Sequence, residues 1–132
     1  MALSGAALLT PYAWASLGQL ASARLWPAEE YTRLILESAN PIAYKLQTLA
    51  SPDRLVLDLA DVRWTVDLAD VGARVQSSDP YVAGIRVGRK SDGVRLVLDL
   101  KAPVKPQVFS LMPVAEYGHR LVVDLYPVIE ID

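Results

Sequence analysis

Hydrophobic and polar residues alternate with a period of two in four segments of this chain. Two segments have the same text, Arg-Leu-Val-Leu-Asp-Leu at 54–59 and 95–100. A third reads Arg-Leu-Val-Val-Asp-Leu at 120–125, and a fourth, Arg-Leu-Ile-Leu-Glu at 33–37, is a close variant. Successive side chains of a β-strand point to opposite faces, so each segment places aliphatic residues on one face. The other face carries an arginine, a β-branched residue and a carboxylate. The pattern predicts half-buried strands.

These segments belong to an internal duplication. A spacing of 62 positions separates three pairs of matching residues: Arg24 and Arg86, Arg33 and Arg95, Pro41 and Pro103. Arg54 and Arg120 are 66 positions apart, which places about four extra residues near 112–118. The predicted strands are 21–26, 31–38, 43–49 and 54–60 in the first half, and 82–87, 94–100, 106–111 and 120–126 in the second.

The duplication predicts the fold class. The prolines at 41 and 103 separate the second strand of each half from the third, because proline lacks a backbone donor. Turn residues lie between strands at 51–53 and 91–93. We interpret 61–80 as a connection with a short helical turn near 61–64. A sheet with one apolar face must cover it, and two such sheets can pack face to face. We therefore expect an all-β domain over 21–127, a β-sandwich of two four-stranded sheets with approximate two-fold symmetry.

The N-terminal segment indicates export. Residues 2–15 form an apolar, uncharged run that ends in Ala13-Trp14-Ala15, followed by Ser16. This resembles the second half of a secretory signal peptide, and the run is too short to span a bilayer. The alternative is a short apolar helix that belongs to the domain. We interpret 1–20 as a signal-peptide remnant or disordered segment and 128–132 as the start of a linker, with no integral membrane segment.

Composition narrows the classes of function. The 13 basic and 15 acidic residues leave a net charge of −2, without the basic excess that is typical of nucleic-acid binders. The chain has no cysteine, so disulfides and thiolate metal sites are excluded. It is large enough to bury a core as one domain.

Candidate catalytic residues are few. His119 is the only histidine, whereas a catalytic zinc usually takes three protein ligands that are mostly histidines. No nucleophile-elbow motif accompanies it, so we expect a solvated turn residue. Asp58, Asp99 and Asp124 each follow an arginine by four positions on the same strand face, which favours cross-strand ion pairs. We expect no catalytic residue, metal ligand or cofactor in this domain. A carboxylate-pair enzyme would need two acids held in a cleft.

The polar strand faces are the candidate binding surfaces. Arginines and aromatic side chains suit a polymer of sugar rings and carboxylates, because sugar C–H faces pack on aromatic planes and guanidinium groups bind carboxylates. The candidate ligand-binding residues are Arg33, Arg54, Arg95, Arg120, Arg24, Arg86, Trp26 and Tyr31. Arg24 and Arg86 are alternatively residues of a sheet edge. Tyr44, Trp64, Tyr81, Tyr117 and Tyr126 are further aromatic candidates, and packing in the core or at an edge is the alternative for each.

Three runs together resemble a known family. Ala-Arg-Leu-Trp-Pro-Ala at 23–28, Tyr-Thr-Arg-Leu-Ile-Leu-Glu-Ser at 31–38 and Arg-Leu-Val-Leu-Asp-Leu at 54–59 are similar to the AMIN domain of periplasmic N-acetylmuramoyl-L-alanine amidases. The resemblance implies a symmetric sandwich, a location in the periplasm and peptidoglycan as partner. It also implies delivery of a zinc-dependent amidase, whose catalytic domain lies downstream, to the division septum.

Two alternatives remain at this point. AMIN domains also occur in outer-membrane secretins, and an exposed sheet edge is a docking site for a protein partner. The expected partners are therefore peptidoglycan and septal proteins, without nucleic acid, and we expect a monomer.

Overall fold

A computed structural model describes residues 20–128, and all eight predicted strands are present. They are β1 (Leu20–Pro27), β2 (Thr32–Ser38), β3 (Ala43–Leu49), β4 (Arg54–Ala60), β5 (Val82–Lys90), β6 (Gly93–Leu100), β7 (Val104–Leu111) and β8 (His119–Pro127). Leu20, which the sequence assigned to the N-terminal segment, begins β1. The predicted cleavage motif at 13–15 and residues 129–132 of the predicted linker lie outside the described residues.

The strands form two antiparallel four-stranded sheets, as the duplication predicts. Sheet I has the order β1-β2-β8-β7, and sheet II has the order β3-β4-β6-β5. Each sheet therefore combines one hairpin from each half of the chain, joined by β2 with β8 in sheet I and by β4 with β6 in sheet II. The hairpin exchange makes the two sheets equivalent: each contains the first two strands of one half and the last two strands of the other.

Strand register confirms the approximate two-fold symmetry. β1 and β2 shift register between Leu20 and Ser22, and β5 and β6 shift between Val82 and Gly84, which are the positions 62 residues later. Such bulges raise local twist and re-aim side chains. The longer connection is also where the sequence predicts it. The pairs Leu49–Arg54 and Leu111–Arg120 enclose residues 50–53 and 112–119, four and eight residues respectively.

The leucines of the repeated segments form the core between the sheets. Leu34, Leu57, Leu98 and Leu121 are fully buried, one in each of the four central strands. Burial of a leucine side chain contributes about 1.5–3 kcal/mol through the area removed from water, so this repeated text supplies much of the stability. The opposite, arginine-bearing faces of both sheets are left pointing away from the core.

The connection between the halves contains the predicted helical turn, but at a different position. The sequence predicts this turn near 61–64. The structure has it as α1 (Val66–Ala69), which continues into a 3₁₀ helix, η1 (Asp70–Arg74). The Leu68 backbone N–H donates to the Thr65 side-chain oxygen at 3.1 Å, which starts the helix after Thr65. Leu68 and Val71 are fully buried in the core. The helical turn therefore begins where burial of these two residues requires it. No helix among residues 20–128 is long and apolar enough to cross a membrane.

Candidate functional site

The eight predicted binding residues divide between two opposite surfaces. The outer face of sheet I consists of outward-facing residues of β1, β2, β8 and β7, and it carries Arg24, Trp26, Arg33 and Arg120, with Tyr31 just before β2. The outer face of sheet II carries Arg54, Arg86 and Arg95. Arg24 and Arg86 lie in edge strands, as one alternative predicts. The arginines do not line one common surface, because the hairpin exchange places matching residues on opposite sides of the sandwich.

The predicted cross-strand ion pairs are present on both faces. On sheet I, Arg33 Nε and Nη2 donate to the two Asp124 carboxylate oxygens at 2.7 and 2.8 Å. On sheet II, Arg95 makes the same contacts with Asp58 at 2.7 and 3.0 Å. Two parallel N–H···O bonds are the strongest geometry for an arginine and a carboxylate. The Nε and Nη2 groups of these two arginines are therefore already hydrogen-bonded to carboxylates of their own sheet.

Sheet II has a further arginine–carboxylate pair. Arg86 donates to Asp99 through Nε and Nη2 at 2.9 and 2.8 Å. The hydrogen bond from Arg86 lowers the pKa of Asp99 below its usual value, and the hydrogen bond from Arg95, assisted by Lys90, lowers the pKa of Asp58. The same contacts raise the pKa of both arginines further.

These lowered pKa values predict a loss of stability in acid. A carboxyl whose pKa is lower in the folded state stabilises the fold above its unfolded pKa, 3.8 for Asp58 and Asp99. The contribution is lost as the pH falls through the folded pKa. We expect the free energy of unfolding to decline below about pH 4. Urea titrations at a series of pH values would measure it. An Asp58→Asn, Asp99→Asn variant should show a shallower decline, and an unchanged slope would contradict the assignment.

Aromatic side chains surround the arginine pair of sheet I. The Arg33 guanidinium carbon lies 5.3 Å from the Tyr31 ring centroid and 5.8 Å from that of Phe109. The Tyr31 and Tyr126 rings lie 5.2 Å apart. Cation–π contacts of this kind hold the guanidinium and the rings in fixed relative positions. Phe109 was not predicted as a site residue, although the alternation of β7 (Lys105, Gln107, Phe109, Leu111) places it on the outer face, where it is 41% exposed.

A cleft of about 260 Å³ lies at the other end of the same face, with Arg24, Trp26, Tyr117 and Arg120 among its lining residues. The Arg120 guanidinium carbon lies 5.0 Å from the Tyr117 ring centroid. Trp26 and Tyr117 remain 41% and 44% exposed, so both rings are accessible from solvent. Arg120 Nε is buried and has no hydrogen-bond partner among the described residues.

The outer face of sheet II is less aromatic than that of sheet I. Within its four described strands, no outward-facing position is aromatic, and Gly88 and Gln47 stand where sheet I has Trp26 and Phe109. The remaining aromatic candidates lie elsewhere. Tyr44 is in edge strand β3, the Trp64 ring lies 4.4 Å under the Arg89 guanidinium carbon, and the Tyr81 hydroxyl donates to the Glu30 carbonyl.

In the described part of the chain, the candidate catalytic and metal-binding residues form no such site. His119 is the first residue of β8 and is half-buried, so it is a strand residue and not the solvated turn residue that the sequence predicts. Among the side chains that the structure describes, no group of three or more histidine, aspartate or glutamate residues is placed to hold a metal ion. The three aspartates that invite a carboxylate-pair mechanism are each bound to an arginine.

The fold and these surfaces define a class of protein, a duplicated β-sandwich module whose accessible chemistry lies on open sheet faces. Comparison with known proteins then shows the family. The AMIN domain family model matches residues 22–125, and the chain belongs to this family.

Two curated relatives carry the same region. The chain is 42% identical over 114 residues to N-acetylmuramoyl-L-alanine amidase AmiC of Escherichia coli O6:H1 (strain CFT073), which covers 86% of this chain and 27% of the relative. It is 44% identical over 110 residues to AmiC of Neisseria meningitidis serogroup B (strain MC58), which covers 83% of this chain and 26% of the relative. The chain thus spans about a quarter of the length of these relatives, and it is an amidase-associated module.

Proposed function

We propose that this domain binds peptidoglycan and holds an attached amidase against the cell wall. The observation that carries the proposal is the outer face of sheet I, where arginines and exposed aromatic rings lie side by side on an open surface. Aromatic planes pack against the C–H faces of sugars, and guanidinium groups bind the carboxylates of the stem peptides. A flat face also suits a polymer better than a small molecule, which usually occupies a deep pocket.

The attached activity is part of the same proposal. Both relatives are named N-acetylmuramoyl-L-alanine amidases, which favours an amidase over a secretin as the parent protein. The parent enzyme would hold its zinc ion in a different domain. Its substrate is the wall that this module binds, so the location is the periplasm, and enrichment at the division septum is part of the proposal.

Co-sedimentation with purified, insoluble peptidoglycan sacculi tests the binding. We expect the domain to pellet with sacculi at low salt and to be partly released at high salt, because salt screens contacts between exposed charges. Insoluble cellulose, which has sugar rings without peptides, is the matched control and should retain less protein. Absence from the sacculus pellet at every salt concentration would contradict the proposal and point to a protein partner instead.

A further inference from the structure

The two-fold symmetry allows equivalent residues of the two outer faces to be compared directly. Arg24 of sheet I corresponds to Arg86 of sheet II, Glu37 corresponds to Asp99, and Arg120 corresponds to Arg54. The two faces use their matching charged residues differently. On sheet II, both guanidinium nitrogens that face Asp99 are hydrogen-bonded, so Arg86 is neutralised by its own sheet.

Arg24 has no such partner. Among the side chains that the structure describes, no carboxylate forms an ion pair with Arg24 or Arg120, whereas Arg86 Nη2 lies 2.8 Å from Asp99 Oδ1. Arg24 is exposed, so its charge is available to a ligand. The cleft lining also includes Glu37, so it carries two guanidinium groups and one carboxylate in a chain whose net charge is −2.

The longer β7–β8 connection explains the difference. Glu37 Oε2 accepts a hydrogen bond from the Gly118 backbone N–H at 2.8 Å, and this contact turns the carboxylate toward the connection. An added Cβ at Gly118 would lie 2.6 Å from the Ser38 carbonyl oxygen, so the close approach requires glycine. The extra residues that have no counterpart in the first half therefore engage the carboxylate that would otherwise neutralise Arg24.

The same connection and strand β1 supply the aromatic surfaces. Tyr117 belongs to the connection and contacts Arg120, and Trp26 occupies the position that is Gly88 on sheet II. The cleft of about 260 Å³ between them holds one sugar or amino-acid unit rather than a complete small ligand. It is open on the outer face, so the rest of a polymer can continue along the sheet.

We propose that the two faces are not equivalent, and that the cleft at Arg24, Trp26, Tyr117 and Arg120 is the muropeptide site. Arg24 binds a stem-peptide carboxylate, Trp26 packs on the adjoining sugar ring, and sheet II contributes little affinity. This inference rests on the proposed function and specifies the face, the residues and the chemical unit that they bind.

The matched variants Arg24→Ala and Arg86→Ala test it. Loss of one charge-assisted hydrogen bond corresponds to about a tenfold fall in affinity, so we expect Arg24→Ala to lower sacculus affinity about tenfold. Arg86→Ala should change it less than about twofold, because Arg86 is already paired. Thermal unfolding of both variants controls for folding, and Arg24→Lys should recover part of the binding.

Soluble fragments distinguish the chemical units. Titration of the labelled domain with a purified disaccharide-peptide should shift the Trp26 indole N–H resonance, and the disaccharide without peptide should bind more weakly. Equal losses in the two variants, or a loss confined to Arg86→Ala, would overturn the inference while wild-type binding to sacculi persists. Failure of the wild-type domain to bind sacculi would instead overturn the proposed function.

Discussion

Arg33→Ala is expected to lower the free energy of unfolding by about 2–4 kcal/mol, whereas the symmetry-related Arg95→Ala should lower it far less. The two variants differ because the aspartate that pairs with Arg33 is more deeply buried than the aspartate that pairs with Arg95. The Asp124 side chain is 3% exposed, and removal of Arg33 would leave this carboxylate buried without its guanidinium partner. The Asp58 side chain is 18% exposed, and Lys90 Nζ lies 3.4 Å away, so water and a second cation can replace Arg95.

Urea unfolding of the two single variants measures this difference directly. The Arg33→Ala, Asp124→Ala double variant should recover part of the stability, because the carboxylate that lacks a partner is then gone. Equal losses in the two single variants would show that burial of the carboxylate is not what distinguishes the pairs. The result also bears on binding: a reduced affinity of Arg33→Ala would have to be separated from its reduced stability, which is why Arg24 is the better probe of the ligand.

Asp79→Ala is expected to lower the free energy of unfolding by about 2–4 kcal/mol through a different cause. Asp79 is 1% exposed and lies at the end of the connection between the halves. Its Oδ1 accepts hydrogen bonds from the Thr32 hydroxyl at 3.0 Å and from the Tyr81 and Val82 backbone N–H groups at 2.9 Å each. Thr32 belongs to sheet I and Val82 to sheet II, so one carboxylate oxygen ties the two sheets together.

Asp79→Asn is the control for this prediction. The amide keeps an oxygen of the same size that accepts the same three hydrogen bonds, so we expect a loss well below that of Asp79→Ala. Chemical denaturation with fluorescence detection measures both variants. If Asp79→Asn is as unstable as Asp79→Ala, the negative charge and not the set of hydrogen bonds holds the sheets together. If neither variant loses stability, the backbone N–H groups find other acceptors.

The two predictions separate residues that support the sandwich from residues that are free to bind. Arg33, Arg86 and Arg95 are each held by a carboxylate of the same sheet, and their side chains are part of the fold. Arg24 and Arg120 also occupy outward-facing strand positions, but no carboxylate among the described side chains forms an ion pair with them. The repeated arginine pattern in the sequence therefore does not distinguish the arginines that are paired within a sheet from those that are available to a ligand.

Much of the fold is determined by the sequence itself. The period-two alternation around Leu34, Leu57, Leu98 and Leu121 specifies strands with one buried face, because only one face of a half-buried strand can be apolar. The 62-residue spacing specifies the duplication. The aspartate four positions after an arginine specifies same-face charges, and Asp58, Asp99 and Asp124 do pair with arginines of neighbouring strands. The alternation and the Arg–Asp spacing involve residues close together in the sequence, and the duplication is a repeat within the chain. All three can therefore be seen in the sequence itself.

The tertiary structure alone decided how the hairpins combine and which face remains open. Exchange of hairpins between the halves follows from pairing β2 with β8 and β4 with β6, contacts that no local pattern specifies. The helical turn lies at 66–69 rather than 61–64, because the core buries Leu68 and Val71. Whether Arg24 is paired depends on Glu37, which depends in turn on Gly118, 81 positions away. Two arginines with the same spacing in the sequence thus acquire different roles, because a charge is neutralised by what lies near it in space.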